Sequence, residues 1–336
     1  MQPLVSIVTP CYNHEQYLDD YFQGLLSQTY RNIELIIIDD CSKDSSWAKI
    51  CSYESQLKKI FPRVVCTRNA TNQGAYKTIT DAQRQVSGEY VSLLESDDYY
   101  LPTKVEENVN YLQAHPEMGV VHSRAYYIHS DGTPYPSAFP SREEIPTGHI
   151  FDHLLIDNFI ITCTVCSRRS LPRRSVDSAK HIERGYRMGD YPTWLDLARH
   201  TQFGYIAKPL ACYRILEESG SHSRDPYKRF LFQKSFSQIK LDYLRDYGVT
   251  DPIKRKVMFK ISWEALNFAC SFYQDRHYRL AAQSFALCLQ AGPALLANQR
   301  SVRLIAKLLL GERGSEVVRN LKDLLFNRGT GRTSSG

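Results

Sequence analysis

The stretch Tyr90-Val91-Ser92-Leu93-Leu94-Glu95-Ser96-Asp97-Asp98 decides how this 336-residue chain reads. Its first five residues are mostly apolar and predict a short buried strand. Three carboxylates then fall within four positions. Carboxylates crowded at a strand end repel one another unless something neutralises them. A hard divalent cation, which takes oxygen ligands, does this well. For an isolated Asp-Asp pair the plain alternative is a solvated acidic turn. Ligands gather outside the carboxyl ends of strands in open α/β sheets, and the first half of this chain has further polar clusters at such ends.

Those clusters appear in order. Leu4 to Thr9 reads as a buried strand broken by Pro10-Cys11-Tyr12-Asn13. Glu15 to Gln28 has apolar residues at Leu18, Tyr21, Phe22, Leu25 and Leu26, a helical spacing. Ile33 to Ile38 is a second strand closed by Asp39-Asp40-Cys41-Ser42-Lys43-Asp44, where Ser42 or Asp44 can cap the next helix. Val64 to Thr67 is a third, and Asn72-Gln73-Gly74 a turn before a helix to Val86. Beyond the opening stretch, Pro102 begins a helix to Ala114 and Met118 to Tyr127 is strand-like. Strands alternating with helices predict a parallel, doubly wound sheet. Ser130 to Pro146 reads as a loop, Ile150 to Asn158 as a short helix, and Cys163–Cys166 and Leu210–Ile215 as strands. From Tyr227 the composition turns to helix formers, with a helical hairpin over Ser262–Leu289. The predicted organisation is an α/β domain over 1–224, split into halves 1–100 and 101–224, a helical region over 225–328, and a disordered tail over 329–336.

With 43% hydrophobic and 23% charged residues an ordinary globular core is expected. A formal charge of +6 is too small to imply nucleic-acid binding, and none is expected. Nine scattered cysteines in apolar runs predict reduced, buried thiols in a cytosolic protein rather than a disulfide framework. Cys163-x-x-Cys166 has no second pair nearby, which favours structural thiols over zinc. Val5–Val8 is too short for a signal h-region, and no apolar run reaches the length of a membrane span.

Taken together, Val5-Ser6-Ile7-Val8-Thr9-Pro10-Cys11-Tyr12-Asn13, Ser27-Gln28-Thr29-Tyr30, Glu34 to Asp44, Asn72-x-Gly74, Gly88-Glu89-Tyr90 and Ser96-Asp97-Asp98 resemble, in order, the motifs of inverting family 2 glycosyltransferases of the bacterial polysaccharide and lipopolysaccharide type. The resemblance covers about Pro3 to Ser221. It implies the GT-A fold, an α/β, Rossmann-like and mostly parallel sheet flanked by helices, here with a C-terminal all-helical extension. It also implies a nucleotide-sugar donor, in which UDP suits Asp40, and a glycan or lipid-linked acceptor at the cytoplasmic face of the membrane. Departures are Cys41 in place of the motif's Gly, Tyr76, Lys77, Ile79 and Thr80 after the Asn-x-Gly turn, and Leu216 where relatives carry a His after Tyr213-Arg214.

Such a transfer needs a base-binding group, a neutralised diphosphate and a proton acceptor. Asp40 can accept the imide N–H of uracil and Tyr12 can stack on the ring; helix capping and core packing are their plain roles. Pro10, Asn13, Asn72, Gly74, Ser96 and Asp97 complete the expected donor contacts. Asp98, with Asp97 or Glu95, is expected to hold Mn²⁺ or Mg²⁺ against the diphosphate. His222 is a further candidate ligand, although a solvated loop histidine is the simpler reading. Met188-Gly189-Asp190 matches the family's general base, so Asp190 is the expected proton acceptor, unless it only caps the helix near Pro192. Glu183 and Asp196 are the next candidates.

Two other classes remain open on sequence. A nucleotidyltransferase would need a Gly-rich basic loop that Pro10-Cys11-Tyr12-Asn13 does not supply. A degenerate, non-catalytic scaffold conflicts with intact Asp40, Asp98 and Asp190. The segment 298–336 holds eight basic residues against three acidic ones among apolar positions at helical spacing. It reads either as a basic amphipathic helix for peripheral attachment to an anionic membrane or as a face that covers the catalytic domain or a second subunit.

Overall fold

The computed structural model describes residues 2–141, 144–171, 176–217 and 223–292. The chain divides into two units, Met1–His222 and Ser223–Gly336.

The first unit is built on strands β1 (Val5–Cys11), β2 (Ile33–Asp39), β3 (Arg63–Arg68) and β4 (Tyr90–Leu93), interleaved with helices α1 (Leu18–Leu26), α2 (Ser46–Ile60) and α3 (Ala75–Gln83). These strands lie parallel in the order β3-β2-β1-β4. β2 is buried along its whole length, as a strand covered on both faces must be, and its run of isoleucines follows from that. Cys11 pairs with Asp39 and Val8 with Leu93, so the carboxyl ends of β1, β2 and β4 lie side by side.

The other half of the sheet is mixed. It contains β5 (Tyr99–Tyr100), β6 (Met118–Ile128), β7 (Pro134–Phe139), β8 (Cys166–Arg168) and β9 (Gln202–Arg214), with α4 (Lys104–Ala114), α5 (Phe151–Ile156), α6 (Ser178–Glu183) and α7 (Asp190–Ala198). The sheet continues β4-β8-β6-β9-β5, with β7 on β6. Four pairings are antiparallel while β6 and β9 run parallel, so the all-parallel arrangement expected from alternating strands and helices is complete in the first half only. Three local readings also change. Residues 162–164 form a 3-10 turn and the strand begins at Cys166. β7 lies inside the stretch expected to be loop, its Pro content tolerated because it pairs on one side only. β9 starts well before Leu210 because its first half pairs with β6.

Two of the motif residues act as brackets. Gln28 is fully buried; its Nε2 donates to the Gly24 and Leu101 carbonyls and its Oε1 accepts from Val105 N–H. It thus fixes α1 to the segment that follows the acidic turn. Gly24 is required there, since a Cβ would sit 2.9 Å from the Tyr100 carbonyl oxygen. Glu34, buried on β2, accepts from Ser6 Oγ, Ser87 N–H and Oγ, and Arg63 Nη1. Burial alone would raise its pKa, but these donors outweigh it and bring it down to about 2. A carboxyl lower in the folded state than its ordinary 4.5 stabilises above that value and loses the contribution as pH falls toward about 2. We therefore expect Glu34→Gln to cost roughly 1–3 kcal/mol at neutral pH. The thermal midpoint of the variant should fall less steeply than wild type over that acid window; parallel acid profiles would refute this assignment.

All nine cysteines are free, with Cys11, Cys163, Cys166, Cys212 and Cys288 buried and Cys51 exposed. In the second unit, α8 (Pro226–Asp246), α9 (Asp251–Gln274) and α10 (Tyr278–Ala291) are helices, α9 and α10 packing through Ala265, Leu266, Ala269, Phe285 and Cys288. The hairpin expected over Ser262–Leu289 is this pair, with α9 beginning eleven residues earlier, at Asp251. No described helix is long and apolar enough to cross a membrane. The basic segment 298–336 and His222 lie outside the described residues.

Candidate active site

The carboxyl ends of β1, β2 and β4 carry the polar clusters. At the end of β2 the two aspartates do different things. Asp40 Oδ1 accepts from Asn69 Nδ2 at 2.7 Å and Gln73 N–H at 2.9 Å, and its Oδ2 accepts from Gly74 N–H at 2.8 Å. Burial pushes its pKa up, but these bonds bring it below the ordinary value. Both oxygens of Asp40, expected to receive the base, are thus engaged in closing the turn that opens α3. Gly74 takes φ +83 there, and its N–H also donates to Asn72 Oδ1 at 3.2 Å. Asp39, which was not singled out from sequence, is fully buried. Its Oδ2 meets Arg68 Nε at 3.0 Å and Ser42 N–H at 3.1 Å, while its Oδ1 is buried with no hydrogen-bond partner. An orphaned carboxylate oxygen is costly unless a ligand donor fills it. The signal missed in sequence was the competition for Asp40: its three donors come from residues 69, 73 and 74, which only the fold brings over.

Asn13 and Cys41 both adopt left-handed backbone, φ 54 and 62. That explains the glycine that relatives use at the second position, because only glycine enters this region without steric cost. Asn13 clamps the facing loop, its Oδ1 accepting from Lys43 N–H at 2.8 Å and its N–H donating to Ser42 Oγ at 2.9 Å. Tyr12 beside it is 37% exposed, so its ring is free for a planar partner. Pro10 pairs with Ile38, one residue before the last pair of β1, Cys11 with Asp39.

After β4, Glu95, Asp97 and Asp98 bring one oxygen each within 4.8 Å of one another. Asp98 N–H donates to the Glu95 carbonyl at 3.1 Å, closing the turn that gathers them. Ser96 is buried, 2.8 Å from His14 Nδ1, which in turn is 3.8 Å from Asp97 Oδ1. Asp98 Oδ1 accepts from Arg214 N–H at 2.8 Å; its Oδ2 is buried and unpartnered. Burial, then the charges of Asp97 and Asp190, pushes Glu95 up to about 8. Burial, then Asp97 and Glu95, raises Asp98 well above the carboxylate range. Three like charges in so small a volume cannot all ionise alone. An orphaned buried oxygen and a set of three hard oxygen donors fit a divalent cation.

Arg214 holds the turn in place. Besides its amide bond to Asp98, its buried guanidinium donates to the Asp97 carbonyl at 2.9 Å, to the carbonyls of His129 and Ser130, and to Asp20 Oδ2 at 2.6 Å. It lies over the Tyr17 ring, 4.8 Å from the centroid. The Tyr213-Arg214 pair, read from sequence only as the lead-in to a missing histidine, is a structural support of the carboxylate cluster.

Asp190 is the first residue of α7, with Gly189 as its N-cap. Burial raises its pKa, and its charge in turn acts on Glu95, so the fold brings it into the field of the cluster. Of the reserve candidates, Asp196 is committed to His181 Nε2 at 3.0 Å, and Glu183 is an exposed residue at the end of α6.

Residues 6–177 match the model of glycosyl transferase family 2, and the chain belongs to that family. It is 28% identical over 281 residues to the UDP-Glc:alpha-D-GlcNAc-diphosphoundecaprenol beta-1,3-glucosyltransferase WfaP of Escherichia coli, across 81% of this chain and 98% of that protein. S. aureus TarS 1-349 in complex with UDP-GlcNAc superposes with a TM-score of 0.60 at 14% identity, over 96% of this chain and 92% of that one. The mannosyltransferase PcManGT from Pyrobaculum calidifontis, in complex with GDP-Man and Mn²⁺, gives 0.57 at 15% identity, over 97% and 88%. The fold is GT-A and the protein is a glycosyltransferase.

Proposed function

We propose that this enzyme transfers a hexose from a UDP-sugar, with inversion, to a hydroxyl of a glycan carried on a lipid diphosphate, in cell-surface polysaccharide synthesis. The observation that supports it most is the grouping of three features: the unpartnered oxygen of Asp39 at the end of β2, the carboxylate cluster after β4, and Asp190, at the start of α7, whose charge acts on Glu95 of that cluster. The acceptor class follows from WfaP, whose acceptor is a lipid diphosphate sugar.

The base fits Asp39. Uracil offers one imide N–H, and one Asp39 oxygen is open while the other is held by Arg68 and Ser42. Guanine, which presents two adjacent donors, would want both. The Tyr12 ring is placed to cover the base. Glu95, Asp97 and Asp98 would hold Mn²⁺ or Mg²⁺, which when bound supplies Lewis acidity to the diphosphate leaving group. Asp190 takes the proton of the acceptor hydroxyl. The hydroxyl oxygen bonds to the anomeric carbon as the bond from that carbon to the phosphate oxygen breaks, and UDP departs with the electron pair. One displacement inverts the centre and needs no enzyme nucleophile.

The test is thermal shift with nucleotides and Mn²⁺, since a ligand that binds only the folded state stabilises it. UDP should raise the midpoint more than GDP. Asp39→Asn should weaken UDP about 10- to 100-fold, the range for a hydrogen bond to a charged acceptor. Equal stabilisation by GDP, or UDP binding unchanged in Asp39→Asn, would defeat the uracil reading.

A further inference from the structure

We propose that Tyr76, His181 and Asp196 form a positioning relay that fixes Asp190 against the donor half of the site. It rests on Asp190 being the base. Tyr76 stands in the first turn of α3, and nothing in the reaction as described uses it. Its ring lies against Gly189, the residue before Asp190: a Cβ at Gly189 would fall 2.8 Å from both Cδ2 and Cε2 of the ring. Its hydroxyl is 3.0 Å from His181 Nδ1, and His181 Nε2 is 3.0 Å from Asp196 Oδ2. The last two side chains are 3% and 5% exposed.

Each link bears on α7. Asp196 lies on that helix, and the same Oδ2 accepts from Asp177 N–H at 3.0 Å. Asp177 in turn caps α6, its Oδ1 accepting from Lys180 N–H at 3.1 Å. Thr193 Oγ1 donates to the Gly189 carbonyl at 2.6 Å, tying the start of α7 to its second turn. One side chain of α3 therefore touches α7 at its N-cap through its ring, and through its hydroxyl and His181 of α6 it reaches Asp196 in the last turn of α7. The other end of the connection is the nucleotide side. α3 begins at Gly74, whose N–H is held by Asp40, the neighbour of Asp39. The relay joins the base-binding strand end to the residue that must meet the acceptor hydroxyl. Catalytic groups misplaced by about 1 Å can lose about 10²-fold.

Tyr76→Phe keeps the ring on Gly189 and removes only the hydroxyl, with its bonds to His181 and to Ser178. Turnover is read as Mn²⁺-supported UDP release to water, from whichever of UDP-glucose, UDP-galactose, UDP-GlcNAc and UDP-GalNAc the wild-type enzyme uses fastest. The expected result is a kcat about tenfold lower with donor KM within about twofold of wild type. In an Asp190→Asn background the same change should cost nothing further, because residues that act through one another are not additive. Gly189→Ala, which drives a methyl into the ring, should mimic the loss. The proposal is overturned if Tyr76→Phe retains wild-type kcat, or if its loss persists in full without the Asp190 carboxylate. Failure of the base assignment itself shows separately, as near-normal turnover in Asp190→Asn alone.

Discussion

Asp190→Asn should lower turnover by at least about 10²-fold, the low end of what general-base catalysis contributes. Donor affinity should hold, and the unfolding midpoint at neutral pH should not fall. All three expectations come from one position. Asp190 begins α7 half-buried, and desolvation raises its pKa. A carboxyl whose folded value is raised is destabilising once ionised, so the fold gains as pH drops through that value and loses above it. Asparagine keeps the shape and cannot take a proton, so it removes the charge that the fold resists along with the chemistry. Such an exchange of stability against function is what a site residue shows and a helix cap does not. Had Asp190 served only to cap α7, the amide would do nearly as well for activity, because Asn caps helices about as strongly as Asp. Steady-state kinetics and a melting curve of the one variant separate the cases. Turnover within a few-fold of wild type would move the base elsewhere.

The parallel half of the fold was legible because its strands are continuous apolar runs ended by polar clusters, and β1, β2 and β4 appear where those runs fall. The second half was not. β5 is two residues long and exists because β9 accepts it; β7 is Pro-rich and exists because β6 does. Neither carries periodicity of its own, so pairing overrides propensity. The site divides the same way. The acidic cluster and Asp190 could be found because each is local in sequence. The engagement of both Asp40 oxygens could not, since it depends on amides from residues 73 and 74, and neither could the unpartnered oxygen of Asp39. Arg214 was visible as a motif residue, but its work on Asp97 and Asp98 spans more than a hundred residues.

Removing divalent metal should abolish sugar transfer, by at least about 10²-fold, the scale of the several kcal/mol that a Lewis acid gives to a departing diphosphate. The reasoning starts from repulsion within the chain itself. Glu95, held up at about 8, and Asp98, raised well above the ordinary carboxylate value by burial and by its neighbours, share a small space with Asp97. A UDP-sugar would add diphosphate charge to that space, so donor binding and carboxylate ionisation oppose each other without a cation. Asp97 is the ligand best tested, because its side chain is 18% exposed and lies 3.8 Å from His14 Nδ1, without the backbone bond that ties Asp98 to Arg214. Asp98→Ala would also strand the Arg214 amide and loosen the turn. Asp97→Asn should therefore weaken Mn²⁺ binding roughly tenfold or more with little change in the melting midpoint. The pH dependence gives a second readout that needs no substrate. Metal must displace the protons held by Glu95 and Asp98, so apparent Mn²⁺ affinity should fall by about tenfold per pH unit for each proton displaced. That decline should set in as pH drops below about 8, with protons released on binding. Calorimetric titration in buffers of different ionisation enthalpy measures both the affinity and the proton count. Activity that survives EDTA, or Mn²⁺ affinity that stays flat through this range, would remove the cation from the cluster and leave Glu95, Asp97 and Asp98 as an acidic turn.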